Sequence, residues 1–243
     1  MSALKVDIRR KTYDPIGSRQ QMPVIENLSF EAAEAEFVCI LGPSGCGKST
    51  LLNLIAGLDT SYEGAIGFAP GVKDHLAYVF QTPRLLPWRT VAQNLALVLP
   101  DAAARKAHAA EILAEVGLAD FADAFPGQLS LGMQRRAALA RAYVTLPKLM
   151  LMDEPFVSLD EETAERLRDL LVALWRARPT TILFVTHDSR EAIRLGDRLI
   201  LLSASPCHVL REIVVDLSRE QRRDPASIEG FRNANLPAMG GLL

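Results

Sequence analysis

Two kinds of hydrophobic pattern run along the chain. Apolar and polar residues alternate through LKVDIRR, with Leu4, Val6 and Ile8 on one side, and VIENLSF from Val24 follows as a second strand. Elsewhere the apolar residues come in short unbroken runs: FVCIL from Phe37, LAYVF from Leu76, LMLM from Leu149, TILFV from Thr181 and RLILL from Arg198. Runs of that length without alternation mark strands buried on both faces. Three of them lead into, or alternate with, helical segments, which is the arrangement of a largely parallel α/β sheet.

Between Thr82 and Leu146 the period becomes helical. TVAQNLALVL, DAAARKAHAAEILAEVGL and SLGMQRRAALARAYVTL each read as a helix, the second capped by Asp101 and ended by Gly117. The pattern predicts one domain over 1–243, with an α/β core at about 1–81 and 147–215 and a helical insertion at about 82–146. The closing stretch from about 216 to 243 is polar, then broken by Gly and Pro, and reads as a weakly ordered tail.

Composition narrows the function classes. A formal net charge of −2 with 23% charged residues provides no field that would draw the chain to nucleic acid. No apolar run approaches the ~20 residues that span a bilayer, and MSALKVDIRR lacks a signal-peptide core. The expectation is a soluble, cytoplasmic chain. Cys39, Cys46 and Cys207 have no metal-ligand spacing and read as buried or loop thiols.

The chemistry begins where FVCIL ends. Gly42, Pro43, Ser44, Gly45, Cys46, Gly47, Lys48, Ser49 and Thr50 fit G-x-x-x-x-G-K-[ST], with the strand before and the helix after that the phosphate loop requires. Glycines let such a loop wrap a phosphate with its N–H groups, and the helix N-terminus adds a favourable dipole. The loop therefore binds ATP or GTP, with Lys48 on the β- and γ-phosphates and Ser49 on Mg²⁺. About a hundred residues later LMLMDEP delivers Asp153 and Glu154 to a strand end. Asp153 is placed for the Mg²⁺ shell and Glu154 for a general base acting on water.

The ordered set GPSGCGKST, VFQ, LSLGMQRR, LMLMDEP, SLD and FVTHD resembles the ATP-binding-cassette family of transport ATPases, from about Tyr13 to Leu202. That resemblance implies a P-loop NTPase core with a helical subdomain and an N-terminal antiparallel β region. It implies roles for single residues as well. Gln81 would sense Mg²⁺ and the attacking water, Asp160 would organise a dimer seam, and His187 would bond the γ-phosphate. Tyr13 would stack on adenine, although the stretch DPIGSRQQM that follows is longer than usual, and a surface aromatic is the other reading. Ser130 and Gly132 would meet the γ-phosphate of a partner's ATP, because such cassettes close as head-to-tail homodimers.

Segments such as PRLLPWRTVAQNLAL resemble the nitrate, sulfonate and taurine branch of bacterial importers. That implies a transmembrane permease, an extracytoplasmic solute-binding protein and a place on the cytoplasmic face of the inner membrane. The alternatives are a non-transport ATPase of the same superfamily, or export or lipid trafficking; a kinase or GTPase would leave VFQ, LSLGM and FVTHD unexplained. Trp88 is read either as packed on the helical insertion or as a contact with the permease. His75, His108 and His208 are assigned no chemistry.

The signature usually reads Leu-Ser-Gly-Gly-Gln, and here it is Leu129-Ser130-Leu131-Gly132-Met133. Ser130 is a good N-cap, but Met133 provides no capping box. Leu131 should keep an ordinary φ, with its side chain toward a neighbouring subunit or the helical insertion. Arg135 and Arg136 read as a solvated face.

Overall fold

The computed structural model describes residues 1–14, 23–99 and 102–236, with the side chains of 102–107 left aside. In chain order its elements are strands β1 (Ser2–Thr12), β2 (Pro23–Ala33) and β3 (Phe37–Leu41), helix α1 (Lys48–Ile55), and strands β4 (Glu63–Phe68) and β5 (Leu76–Val79). Helices α2 (Val91–Ala96), α3 (Ala102–Glu115) and α4 (Leu131–Tyr143) follow, then strand β6 (Leu149–Asp153) and helix α5 (Glu161–Ala177). Strand β7 (Thr181–Thr186), helix α6 (Ser189–Leu195), strands β8 (Arg198–Leu202) and β9 (Val209–Val214) and helix α7 (Pro225–Asn235) complete it. The chain divides into two compact units, Met1–Asp74 with Thr180–Leu243, and His75–Pro179.

In the first unit, β2, β1 and β4 form an antiparallel sheet. Leu4, Val6 and Ile8 are buried while Lys5, Asp7 and Arg9 face out, as the alternation predicts. A second sheet orders β7, β3, β8 and β9, parallel except for β9. Every residue of β3 and β7 is buried, which is why those runs are apolar between the threonines that begin and end β7. Two strands escape the hydrophobic pattern. β4, EGAIGF, is glycine-rich and largely exposed, and β9, VLREIV, is an exposed antiparallel strand at the end of its sheet.

In the second unit β5 and β6 pair in parallel, Leu76 with Leu149 through Val79 with Met152. The second unit is wider than the helical segment read from the sequence, since it also takes in β5, β6 and α5. Glu115 at the end of α3 accepts two hydrogen bonds at 2.7 Å from Arg178, just after α5. Asp101, expected to cap α3, lies outside the described residues.

The tail corrects the sequence reading. Asp224 caps α7 by accepting from the N–H groups of Ala226 and Ser227, and Pro225 takes the first helical position, where its missing N–H costs nothing. Ile228, Phe231 and Leu236 are buried. Just before the helix, the buried Arg222 donates to the carbonyls of Gly196 at 2.6 Å, Val215 at 2.9 Å and Leu217 at 3.1 Å. Arg222, within the stretch read as a weakly ordered tail, is an anchor; positions 237–243 lie outside the described residues. Arg222→Ala is expected to lower unfolding stability by about 2–4 kcal/mol, because it orphans three carbonyls. Urea denaturation reads this directly, and a loss below ~0.5 kcal/mol would refute the anchor.

Candidate nucleotide site

In the first unit, β3 runs buried to Leu41 and then turns through the glycine-rich loop into α1. Gly45 and Gly47 hold φ of 77° and 119°, left-handed values that side chains adopt at a cost. At Gly47 a Cβ would also lie 3.0 Å from the Val24 side chain. The Lys48 ammonium, only 5% exposed, donates to the Gly42 carbonyl at 2.8 Å and to the Pro43 carbonyl at 2.9 Å. No side chain caps α1, whose first-turn N–H groups and positive dipole end suit an anion. Glycine curvature, a buried cation and uncapped donors fit a nucleotide's phosphates.

Two further expected residues belong to this unit. Thr186, the last residue of β7, pairs with Leu41, so His187 and Gly42 leave adjacent strand ends side by side. His187 is exposed there, ahead of α6, which Asp188 caps. Tyr13 lies beside α1, with its hydroxyl 3.3 Å from Thr50 Oγ1 and its ring over the buried Lys11 ammonium at 4.4 Å. Lys11 is itself fixed by Asp59 at 2.6 Å and the Ser61 carbonyl at 2.8 Å. Tyr13 is 47% exposed, so part of its ring remains available. Most of the segment after it, 15–22, lies outside the described residues.

All three cysteines are buried and unpaired. Cys46 in the loop hydrogen-bonds with Cys207, which pulls the Cys46 thiol below its ordinary pKa, while the same contact and burial push Cys207 up.

The second unit carries the carboxylates and the signature. β6 ends at the buried Asp153, and Glu154 follows at φ 43°. Burial and the nearby Asp153 charge raise the Tyr78 hydroxyl above its ordinary range. Met152 pairs with Val79, so Asp153 and Glu154 emerge beside the segment that carries Gln81. Asp160 is exposed and caps α5, accepting from the Thr163 N–H at 2.9 Å; that bond holds its carboxyl below the usual range.

Ser130 caps α4, accepting from the Met133 N–H at 3.3 Å. Leu131 sits in the first turn with no positive φ, as expected, and its side chain is 40% exposed. Gly132 has a reason the sequence conceals: a Cβ there would lie 2.6 Å from Thr163 Cγ2 on α5. The arginines correct the sequence reading outright. Arg135 is buried and donates to the main-chain carbonyls of Gln81 and, at 3.2 Å, Val157. Arg136 donates to the Val116 and Gly117 carbonyls at 3.1 and 3.2 Å. Arg141 donates to the Pro83 and Arg84 carbonyls at 2.9 and 2.8 Å. Helical spacing showed a charged stripe, but not that irregular backbone would lie against it.

Trp88 is 69% exposed, so the packed-aromatic reading fails. Among the described residues, no group of three or more His, Cys, Asp or Glu could hold a metal by itself, and no helix is long and apolar enough to cross a membrane.

Comparison with known proteins places this geometry. The profile of the ABC transporter family matches residues 25–157. The chain belongs to the ABC transporter family. Its ABC relatives include the aliphatic sulfonates import ATP-binding protein SsuB 2 of Burkholderia lata, 41% identical over 91% of this chain and 81% of that protein. SsuB of Bacillus subtilis is 38% identical over 95% of this chain and 91% of that one. An uncharacterized ABC transporter ATP-binding protein of Methanocaldococcus jannaschii is 40% identical, with 93% and 86% covered. Among solved structures, a dimeric bacterial ABC transporter cassette, MJ0796, superposes with a TM-score of 0.75 at 32% identity, covering 88% of this chain and all of that one. A second structure of MJ0796, bound to ADP and Pi after hydrolysis, gives 0.74.

The Gly132 contact yields a separable test. Gly132→Ala is expected to lower the melting temperature through the clash with Thr163 and to reduce ATPase activity. Adding Thr163→Ser removes the offending methyl and should restore melting to within about 2 °C of the parent. Failure of that rescue in thermal unfolding would show that the packing account is wrong.

Proposed function

We propose that the chain is the ATP-hydrolysing subunit of an ABC importer, working as a head-to-tail homodimer beneath a separate permease. The observation that carries the reading is a complete phosphate loop in a chain about 40% identical, over more than nine-tenths of its length, to aliphatic sulfonate import ATP-binding proteins. The import role for which those relatives are named favours import over export, lipid trafficking or a non-transport role. The solute proposed is an aliphatic sulfonate or a similar small anion, delivered by an extracytoplasmic solute-binding protein. The chain would sit on the cytoplasmic membrane face, held by the permease, for which the exposed Trp88 is a suitable contact.

The chemistry follows from the residues. A water oxygen attacks the γ-phosphorus of ATP, the bond from that phosphorus to the β-phosphate oxygen breaks, and ADP and inorganic phosphate leave. Glu154 takes the proton that the water gives up, and Gln81 orients that water. Lys48 and the loop N–H groups neutralise the phosphates, and His187 donates to the γ-phosphate. Ser130 of the partner subunit and Gly132 of the partner subunit present the end of their helix to the same phosphate. Tyr13 stacks on the adenine, and Asp160 orders the seam between protomers. Mg²⁺, when bound, would supply positive charge to the phosphates, and Ser49, Gln81 and, more remotely, Asp153 are the residues that would hold it.

The test is Glu154→Gln in the purified chain. Phosphate release is expected to fall at least about 100-fold, the scale of a lost general base, while ATP still drives dimerisation on gel filtration. Release at the parental rate would overturn the catalytic assignment.

A further inference from the structure

We propose that Arg135 is a positioning residue for hydrolysis: from within α4 it clamps the Gln81 main chain and the turn after Glu154, so both hold their places only while α4 is seated. The inference rests on the reading above that Gln81 and Glu154 act on the attacking water.

Arg135 lies in the second turn of α4, whose N-cap is Ser130, and is 6% exposed. Its fork divides between two carbonyls 76 residues apart in sequence. Nη1 takes the Gln81 oxygen, and Nη2 takes the Val157 oxygen at 3.2 Å. Burying a guanidinium is costly unless its donors are used, and here Nη1 and Nη2 serve backbone outside regular ladders while Nε is left without a partner.

Both clamped segments are strained. Glu154 and Ser158, at φ 43° and 64°, bracket Val157, and the turn between them is closed by the Val157 N–H donating to the Glu154 carbonyl at 3.3 Å. Arg84, three residues past Gln81, is at φ 46°. A left-handed residue other than glycine costs on the order of 1 kcal/mol and persists only where its surroundings over-determine it. For the Gln81 segment, the over-determination comes from α4 twice. Arg141, six residues beyond Arg135, holds the next carbonyls, of Pro83 and Arg84, while the Arg84 guanidinium covers the Phe80 ring at 3.7 Å. One helix thus begins with the residues assigned to a partner's phosphate and carries the donors that fix the local hydrolytic groups.

The test is a kinetic cycle on the whole chain, checked for folding by thermal unfolding. Arg135→Ala is expected to lower kcat about 10–100-fold with KM for ATP changed less than about twofold, since the phosphate loop lies outside this clamp. Gln81→Ala added to Arg135→Ala should cost far less than Gln81→Ala alone, because groups that act as a unit are not additive. Arg136→Ala, whose bonds go elsewhere, should stay near the parental kcat. If Arg135→Ala does not fold, Arg135→Lys keeps the buried charge but cannot fork, and a lowered kcat at unchanged KM is again expected. Parental kcat in a folded Arg135 variant, or full multiplicative losses in the cycle, would overturn the clamp. Parental kcat in both Gln81→Ala and Glu154→Gln would instead overturn the site reading on which it rests.

Discussion

A buried ammonium bound to two carbonyls of its own loop is the contact on which the phosphate site depends. Lys48 draws Gly42 and Pro43 back toward the start of α1. The chain can make that bend because Gly45 and Gly47 accept left-handed φ. The loop is backed as well as bent. Val24 leaves no room for a side chain at Gly47, the Val24 carbonyl accepts from the Cys207 N–H at 2.8 Å, and the Cys207 carbonyl accepts from the Glu26 N–H at 3.0 Å. The antiparallel sheet and the connection after β8 therefore act as a wall behind the loop. A loop shaped this way loses little freedom on binding, which is the condition for tight anion capture.

The same physical device recurs wherever regular structure stops near functional backbone. Lys48, Arg135, Arg141 and Arg222 each donate to two or more main-chain carbonyls. A carbonyl that has left its strand or helix still needs a donor when water is excluded. A cation with several N–H groups satisfies more than one such oxygen at once, and a guanidinium does so with fixed geometry. Burial pulls the Arg135, Arg141 and Arg222 guanidinium groups below their ordinary pKa, but all remain cations at any working pH. Their bonds are therefore insensitive to pH, unlike a carboxylate pair.

How much of this the sequence discloses follows from the range of each interaction. The buried strands were legible because continuous apolar runs have few other uses, and FVCIL and LMLMD match β3 and β6 to the residue or nearly so. The phosphate loop was legible because its chemistry is local: glycines, lysine and hydroxyl act within nine positions. The exposed strands β4 and β9 were not, since Glu63, Gly64 and Gly67 in one and Arg211 and Glu212 in the other blur both periods. Nor could charge patterning disclose Arg135 or Arg222, whose farthest partners lie 54 and 26 residues away. α7 was hidden differently: Asp224-Pro225 is a sound helix start, but its polar neighbours and Gly230 suggested a tail. Gly132 was read as room for a phosphate, and the methyl of Thr163 across the helix pair shows a second, steric reason that no local pattern could reveal.

A consequence follows from which residues share one unit. Gln81, Ser130, Gly132, Asp153, Glu154 and Asp160 all lie within His75–Pro179, whereas the phosphate loop, Tyr13 and His187 lie in the other unit. The groups proposed for hydrolysis and the signature helix proposed for a partner's nucleotide therefore share the second unit. Two sites that share a compact body are coupled whenever that body shifts as a whole, because packed interiors do not deform continuously. Gly132 against Thr163 ties the signature to the helix that Asp160 caps, and Arg135 ties it to Gln81 and the Glu154 turn. Leu131 stands outside these ties, exposed and at an ordinary φ, which is why the missing first glycine of the signature leaves them intact. The coupling needs no long pathway: from Ser130 to the clamp is less than two turns of one helix.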